Sequence, residues 1–201
     1  MMRIDHSRPP GPLPSYSSVH TVLVLLTIGE AGSVGRHALA GRVGLGEGAV
    51  RTVIKRLKSG GYVSTDASGC KLAPKGEHAY TELRKLIPRV VTLSKTDLTV
   101  GKVQYAVLVK KRSGKVRAGI EQRDSAIMNG AAGATTYVVR GTRFEVPGSS
   151  RDAEADFPSK AWAELREALR PENGDAVIVC GAAERQVSLL GAMSAALTLA
   201  V

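Results

Sequence analysis

Five side chains within eight positions, Arg51, Thr52, Lys55, Arg56 and Lys58, carry the densest chemistry in the sequence. On a helix, Arg51, Thr52, Lys55 and Lys58 share one face through three- and four-residue spacing, with Arg56 on its flank. A guanidinium offers a rigid fork of donors that fits phosphate or the O6/N7 edge of guanine, and an ammonium offers a mobile point charge. A merely solvated helix face mixes signs for i,i+4 pairing. This one has a single acid nearby, Glu47, at the helix start where the dipole favours it. The chemistry implied is the binding of a polyanion.

Other reactive residue types are sparse. The four histidines, His6, His20, His37 and His78, all lie in the first half, so neither a metal cluster nor a histidine relay can be assembled in the second from the usual parts. Cys70 and Cys180 have no CxxC or Cys/His spacing and read as lone reduced thiols, with Cys180 at the end of an apolar strand where it is buried and inert. Two glycine-rich turns, Gly130 to Thr136 and Cys180 to Arg185, are the only candidates for small-ligand contact. Neither matches a P-loop or GxGxxG fingerprint, and packing turns explain both. A ligand would be sought at Gly130, Gly133, Gly181, Arg123, Asp124 and Arg185. On their own helix, Glu121, Arg123 and Asp124 also read as a solvated ion-pair network. No catalytic constellation, metal site or cofactor motif is recognised, and the chain reads as a non-enzyme.

Charge is uneven. Residues 1–95 hold 14 Lys and Arg against 6 Asp and Glu, whereas residues 96–201 hold 14 against 12, within a net charge of +10. The positive field therefore belongs to the first half, and nucleic acid is its first candidate partner, an anionic membrane surface its second. With 43% hydrophobic and 23% charged residues the chain should fold. Its longest apolar run, Val22 to Ile28, is far short of the roughly 20 residues that span a bilayer, and the opening MMRIDHSRPP lacks a secretory core. A cytoplasmic protein without a membrane partner is expected.

The elements that must position the basic cluster can be read in order. Residues 1–16, with the run RPPGPLP, suit a flexible arm; Arg3 and Arg8 make no site there. Ser17 or Ser18 caps a helix apolar on nearly all sides, stopped by Gly29 and Gly32. A second helix, capped by Ser33 and closed at Gly44, turns Leu39 and Val43 inward and carries Arg36 and Arg42. After Leu45–Gly48, Val50, Val53, Ile54 and Leu57 repeat at i, i+3, i+4 and i+7, a third helix ended by Gly60 and Gly61. Two short strands around the tip Asp66–Gly69 follow, and Pro74 opens a fourth helix to about Leu86.

Helix, helix, turn, helix, hairpin, helix is the order of a winged helix-turn-helix. The run GLGEGAVRTVIKRLKSGGYVSTDASGCKLAPKGEHAYTELRKL resembles winged-helix regulators of the MarR and PadR type. Their "L-T-x-x-G" step out of the wing stands here as Leu72-Ala73-Pro74-Lys75-Gly76, with Ala in place of Thr. The resemblance covers residues 18 to 88 and implies that the third helix enters the major groove while the wing touches adjacent backbone. Carried onto this sequence, Arg51, Thr52 and Lys55 face bases, and Arg56, Lys58 and the wing's Lys71 face phosphate. A winged helix used for protein contact is the competing expectation.

The second half reads as strand, helix, hairpin, helix, strand, helix, an α+β arrangement in which a small α/β sandwich follows the winged helix. The expected boundaries are an arm at 1–16, the winged helix at 17–90, a linker at 91–98 and an effector or dimerisation domain at 99–201. The stretches GIEQRDSAIMNGAAGATTYVV, FEVPG and GDAVIVCGAAERQVSLLGAMSAAL resemble the second domain of a small archaeal family of winged-helix proteins, a domain with no established role, so the resemblance supplies no activity. The closing helix, with Leu189, Leu190, Met193, Ala196 and Leu197, suits a dimer face, and a helix buried against its own sheet would show the same pattern. Together these readings describe a regulator that binds double-stranded DNA as a homodimer, with a small-molecule effector as a further partner. The alternative is a metabolite-processing enzyme domain fused to a winged helix used for docking or autoregulation. An RNA or protein scaffold comes third, since 4% aromatic residues leave few stacking platforms for single strands.

Overall fold

The computed structural model describes residues 16–94 and 96–200, and the expected arm lies outside them apart from Tyr16. The chain divides into two compact units, Met1–Glu82 and Leu83–Val201, and the division falls inside a helix.

In the first unit α1 (Ser18–Ala31) buries eight residues from Val19 to Ile28, as a helix apolar on all sides must. Ser17 starts it, its backbone N–H donating to His20 Nδ1 at 3.0 Å. α2 (Arg36–Val43) ends at Gly44 in the left-handed conformation, φ 72°. α3 (Glu47–Ser59) follows, then β1 (Val63–Asp66), β2 (Gly69–Leu72) and α4 (Pro74–Leu86). The expected cap of α2 is corrected: Gly35 holds that place, while Ser33 donates to the Ser68 carbonyl at 2.9 Å. The reason is Val34, which exchanges both backbone hydrogen bonds with Cys70 and so draws Ser33 into the wing ladder.

Glycines mark where elements approach most closely. A Cβ on Gly29 would lie 2.4 Å from the Tyr80 ring, and one on Gly76 only 2.0 Å from the Tyr62 carbonyl oxygen. The glycine of the wing-to-helix step is thus what lets the first turn of α4 rest against the backbone entering the wing.

The second unit is a five-stranded antiparallel sheet in the order β3-β4-β7-β5-β6. Its strands are β3 (Arg89–Leu93), β4 (Val103–Val109), β5 (Gly133–Arg140), β6 (Arg143–Glu145) and β7 (Ala176–Ala182). The expected linker at 91–98 and the boundary at 90 are corrected by β3, which pairs Arg89 with Leu108 through Leu93 with Gln104. Pro88 ends α4, but the β-branched run after it finds a strand partner at once. The Leu86 carbonyl already accepts from Lys110 N–H at 2.8 Å.

Strand alternation sorts the core into two layers. On one face Ala106, Leu108, Tyr137, Val139, Val177 and Val179 pack with α6 (Ala153–Asp156) and α7 (Ala161–Leu169) through Trp162, Leu165 and Leu169. Trp162 stacks on Phe144 at 5.3 Å and meets Tyr137 edge-on at 5.1 Å. On the other face lie Val107, Val109, Ile178 and Cys180, covered by α5 (Ile120–Met128) and α8 (Arg185–Leu197). Met193 and Ala196 of α8 are fully buried and Leu189, Leu190 and Leu197 half-buried, as in a helix packed on its own sheet.

The entry to β7 is held by Asp175, fully buried, which accepts from Lys111 N–H at 3.0 Å, Glu172 N–H at 2.8 Å and Lys110 Nζ at 2.9 Å. Burial pulls the Lys110 ammonium down, but hydrogen bonds to Glu172 and Asp175 outweigh this and leave its pKa raised. Removing Asp175 leaves the Lys111 and Glu172 N–H groups without their acceptor and Lys110 with Glu172 alone, and a polar group left unsatisfied costs about 1–3 kcal/mol. Asp175→Ala is therefore expected to cost about 3 kcal/mol, seen as a lower urea midpoint in the fluorescence of Trp162, the single tryptophan. Gly76→Ala must push apart two backbone segments and should cost about 2 kcal/mol, read as a lower midpoint of helical circular dichroism.

Candidate nucleic-acid interface

The outward surface of the first unit follows from what α3 buries. Val50, Val53, Ile54 and Leu57 are all at most 5% exposed and pack toward α1, α2 and β1. Fixing that stripe inward fixes Arg51, Thr52, Lys55, Arg56 and Lys58 outward, and all five are exposed. The C-terminal end of α3 is closed by Gly60 N–H to the Arg56 carbonyl at 2.9 Å and by Lys75 Nζ to the Gly60 carbonyl at 3.0 Å, with Lys75 over the Tyr62 ring. The basic face is therefore carried on a helix anchored at its far end.

Each predicted residue has its own setting. Arg51 and Lys55 form no ion pair among the described residues. Thr52 Oγ1 donates back to the Gly48 carbonyl at 3.1 Å, which leaves its methyl as the outward group. Arg56 lies with its guanidinium 5.6 Å from the centre of the Tyr16 ring. Lys58 Nζ donates to Thr65 Oγ1 at 3.1 Å, tying the helix to the wing. Lys71 is paired with Asp66 at 2.9 Å. Asp66 also accepts from the Ser68 hydroxyl at 2.6 Å and Ser68 N–H at 2.8 Å, and the Ser68 and Lys71 contacts hold its carboxyl far below the usual range. The wing is thus a tight Asx turn with its one cation already partnered.

Sequence reasoning missed several positioning groups. His37 Nδ1 lies 2.8 Å from Glu47 Oε1, joining α2 to the start of α3, and this hydrogen bond lowers the Glu47 pKa. Only ten positions separate them, but no pattern links a helix-two residue to a helix-three cap. The Asp66-Ala67-Ser68-Gly69 tip did contain its signal, an aspartate two residues before a serine. Arg36 and Arg42 are exposed on α2.

The six residues considered for a small ligand in the second unit are placed differently. Arg123 and Asp124 pair with each other at 3.1 Å on the exposed side of α5. Gly133 and Gly181 face each other across β5 and β7, and their missing side chains are filled by the chain itself: a Cβ would meet Val100 Cγ2 at 2.8 Å and the Val100 oxygen at 2.0 Å. Gly130 has φ +88° with Val187 close by, and Arg185 donates to Tyr105 Oη at 2.8 Å. The loop over these glycines is pinned by buried Gln104, which donates to the Thr96, Thr99 and Gly101 carbonyls, and by Tyr137 Oη to the Leu98 carbonyl at 3.0 Å. None of the six lines either the polar cleft of about 370 Å³ at Ser94, Thr96, Asp97, Lys160 and Glu164 or the cavity of about 290 Å³ at Arg117–Gln122. Burial pushes the Cys180 thiol up to about 12, so it stays protonated at neutral pH. Among the described residues no three His, Cys, Asp or Glu side chains gather as a metal would require, and no helix is long and apolar enough to cross a membrane.

Comparison with known proteins agrees with this division. The family model described as the CggR N-terminal DNA binding domain matches residues 21–87, and the model described as a domain of unknown function (DUF4443) matches residues 100–199. Hypothetical protein PH0730 from Pyrococcus horikoshii OT3 is 26% identical, with a TM-score of 0.74 over 92% of this chain and 93% of that one. No curated protein matches significantly. The first half of the chain is accordingly a winged helix-turn-helix similar to the CggR N-terminal DNA-binding domain, and the second half is matched by the DUF4443 family model.

Proposed function

We propose that the chain is a cytoplasmic, sequence-reading transcriptional regulator that binds duplex DNA as a homodimer. The observation that carries this is the outer face of α3, single-signed from Arg51 to Lys58 and presented by a winged helix. With α3 in the major groove, Arg51, Thr52 and Lys55 address base edges: Arg51 suits guanine bidentately, and the outward methyl of Thr52 suits the thymine methyl. Arg56, Lys58 and Lys71 address phosphate, which sets register without reading sequence. Lys71 must exchange Asp66 for phosphate to do so.

For the second domain, dimerisation is favoured over effector sensing. The space beside Gly133 and Gly181 is occupied by Val100, and Arg123 and Asp124 lie on an open helix face rather than in a cavity. Two reading helices on successive major-groove faces need a two-fold protein, with half-sites about 34 Å apart.

The test is fluorescence anisotropy with the promoter of the protein's own operon across a salt series. Wild type is expected to bind saturably and selectively. Arg51→Ala should cost about 1–3 kcal/mol at one base position, whereas Lys58→Ala should weaken all duplexes alike and lower the salt slope by about one. Equal binding to every duplex would sink the regulator reading in favour of a charged docking module. Asp66→Asn frees Lys71 and should have the reverse effect of Lys58→Ala, tighter binding to all duplexes with the salt slope raised by about one.

A further inference from the structure

The second unit places several cations where the fold gains little from them. At one end of its sheet β3 begins, β4 ends, β5 turns into β6, and α7 leads into β7. The segments meeting there, residue 89 and residues 110–112, 140–145 and 170–175, hold seven Lys and Arg against three Asp and Glu. Within residues 96–201, where 14 bases face 12 acids, this end has six of the bases and three of the acids, which leaves 8 against 9 for the rest. The positive surplus of the second half therefore sits at this end. Asn173 ties the segments together, its Oδ1 accepting from Gly141 N–H at 2.9 Å and its carbonyl from Lys111 Nζ at 2.8 Å.

Arg89 and Arg112 serve the fold, donating to the Ala168 and Leu199 carbonyls at the ends of α7 and α8. Four other cations stand where a different residue would suit the backbone or the neighbour better. Lys111 and Arg170, with φ of 50° and 49°, are the only non-glycine residues in the left-handed region among the described residues, a region that strains an L side chain. Arg170 caps α7, its N–H donating to the Arg166 carbonyl at 2.9 Å, where glycine or asparagine is usual. Arg140 and Arg143 stand directly opposite each other across the hairpin, and like charges so placed repel. Glu145, 3.7 Å from Arg140, is the one acid beside them that forms an ion pair. Arg143 and Arg170 are exposed and form no ion pair among the described residues. Local preferences broken in this way mark functional sites.

We infer that this end of the sheet is a further phosphate-contacting face, its occupant the backbone of the duplex that α3 reads. The inference rests on the duplex-binding reading above and gives the second domain a share in it. The face suits an extended polyanion rather than a small anion, because its cations are spread over separate segments and none of them lines the cleft at Ser94 and Glu164 or the cavity at 117–122. It suits nucleic acid rather than a membrane, because the exposed large apolar side chains, Val100, Ile120, Ile127, Met128 and Phe157, all lie outside these segments. A surface that enters a bilayer carries such side chains beside its charge. Contacts of this kind add affinity and fix register but read no sequence.

The experiment follows the full-length protein by anisotropy on its own promoter duplex and on an unrelated duplex across a salt series, beside thermal melting read from Trp162 fluorescence. Arg170→Gly relieves the left-handed strain and removes one contact. Its melting midpoint should rise by about 2–4 °C, while both duplexes bind about tenfold more weakly at about 0.1 M salt and the salt slope falls by about one. Arg143→Gln relieves the repulsion from Arg140 and should also lower the slope by about one without lowering the midpoint. A chain that melts later and binds less tightly has not failed to fold. The double variant should keep the wild-type preference for the promoter, and loss of that preference would overturn the backbone role. Wild type without affinity for any duplex would overturn this face together with the regulator reading. Selective binding that both variants retain at the wild-type slope would leave that reading standing and overturn the face. Wild-type binding to phosphatidylserine vesicles that both variants lose, with duplex binding intact, would assign the face to a membrane and overturn the inference.

Discussion

The inward stripe of α3 is the constraint on which the functional surface depends. Val50, Val53, Ile54 and Leu57 together bury apolar side chains worth on the order of 1.5–3 kcal/mol each, and a helix cannot rotate away from such a stripe without exposing all of it. Once they are in the core, the direction of Arg51 and Lys55 is no longer free. The remaining contacts refine this placement. His37 to Glu47 fixes the start of α3 against α2, Lys75 closes its end, and Lys58 to Thr65 sets the wing beside it. The outward basic surface therefore arises from hydrophobic periodicity first and from polar contacts second.

The same physics explains what the sequence disclosed. The 3.6-residue repeat of α3, the glycine stop at Gly44 and the Pro74 start of α4 are local signals, and each appears in the structure where its residues stand. The winged-helix order and the α+β second domain were legible from them. What stayed hidden depends on partners distant in the chain. β3 carries a β-branched signal in Val90, Val91 and Thr92, but its pairing with β4 lies outside the segment. Val34 is strand-like only because Cys70 lies beside it. The glycines at 133 and 181 read from sequence as packing turns with a weak claim on a ligand, and what their lack of side chains serves, the close passage of Val100, is not visible there.

Hydrophobic patterning also misleads on α5. Apolar side chains generally go to the interior and polar ones to the surface. The structure reverses this: Gln122 is 1% exposed and satisfied by Thr198, whereas Met128 is the most exposed of the large apolar side chains. A buried amide costs free energy unless it is hydrogen-bonded, and here each inward polar group on α5 has a partner on or just after α8. The inverted helix is stable within the domain and still presents an apolar face.

The wing shows how electrostatics can be held in reserve. Its cation, Lys71, is exposed enough for its pair with Asp66 to be worth little by itself, so the pair neither stabilises the hairpin strongly nor blocks the ammonium from a better partner. Asp66 is needed for another reason, since its carboxylate fixes the turn through Ser68. The tip thus carries an acid for shape beside a base for contact, and in solution the two cancel. Against duplex DNA the cancellation is incomplete in Lys71's favour, because the phosphate backbone offers the ammonium a denser array of negative charge while the Asx turn keeps Asp66 occupied by Ser68. The unpaired charge of this domain is left to α3, and in the complex proposed above the wing adds a contact made only when the polyanion is present.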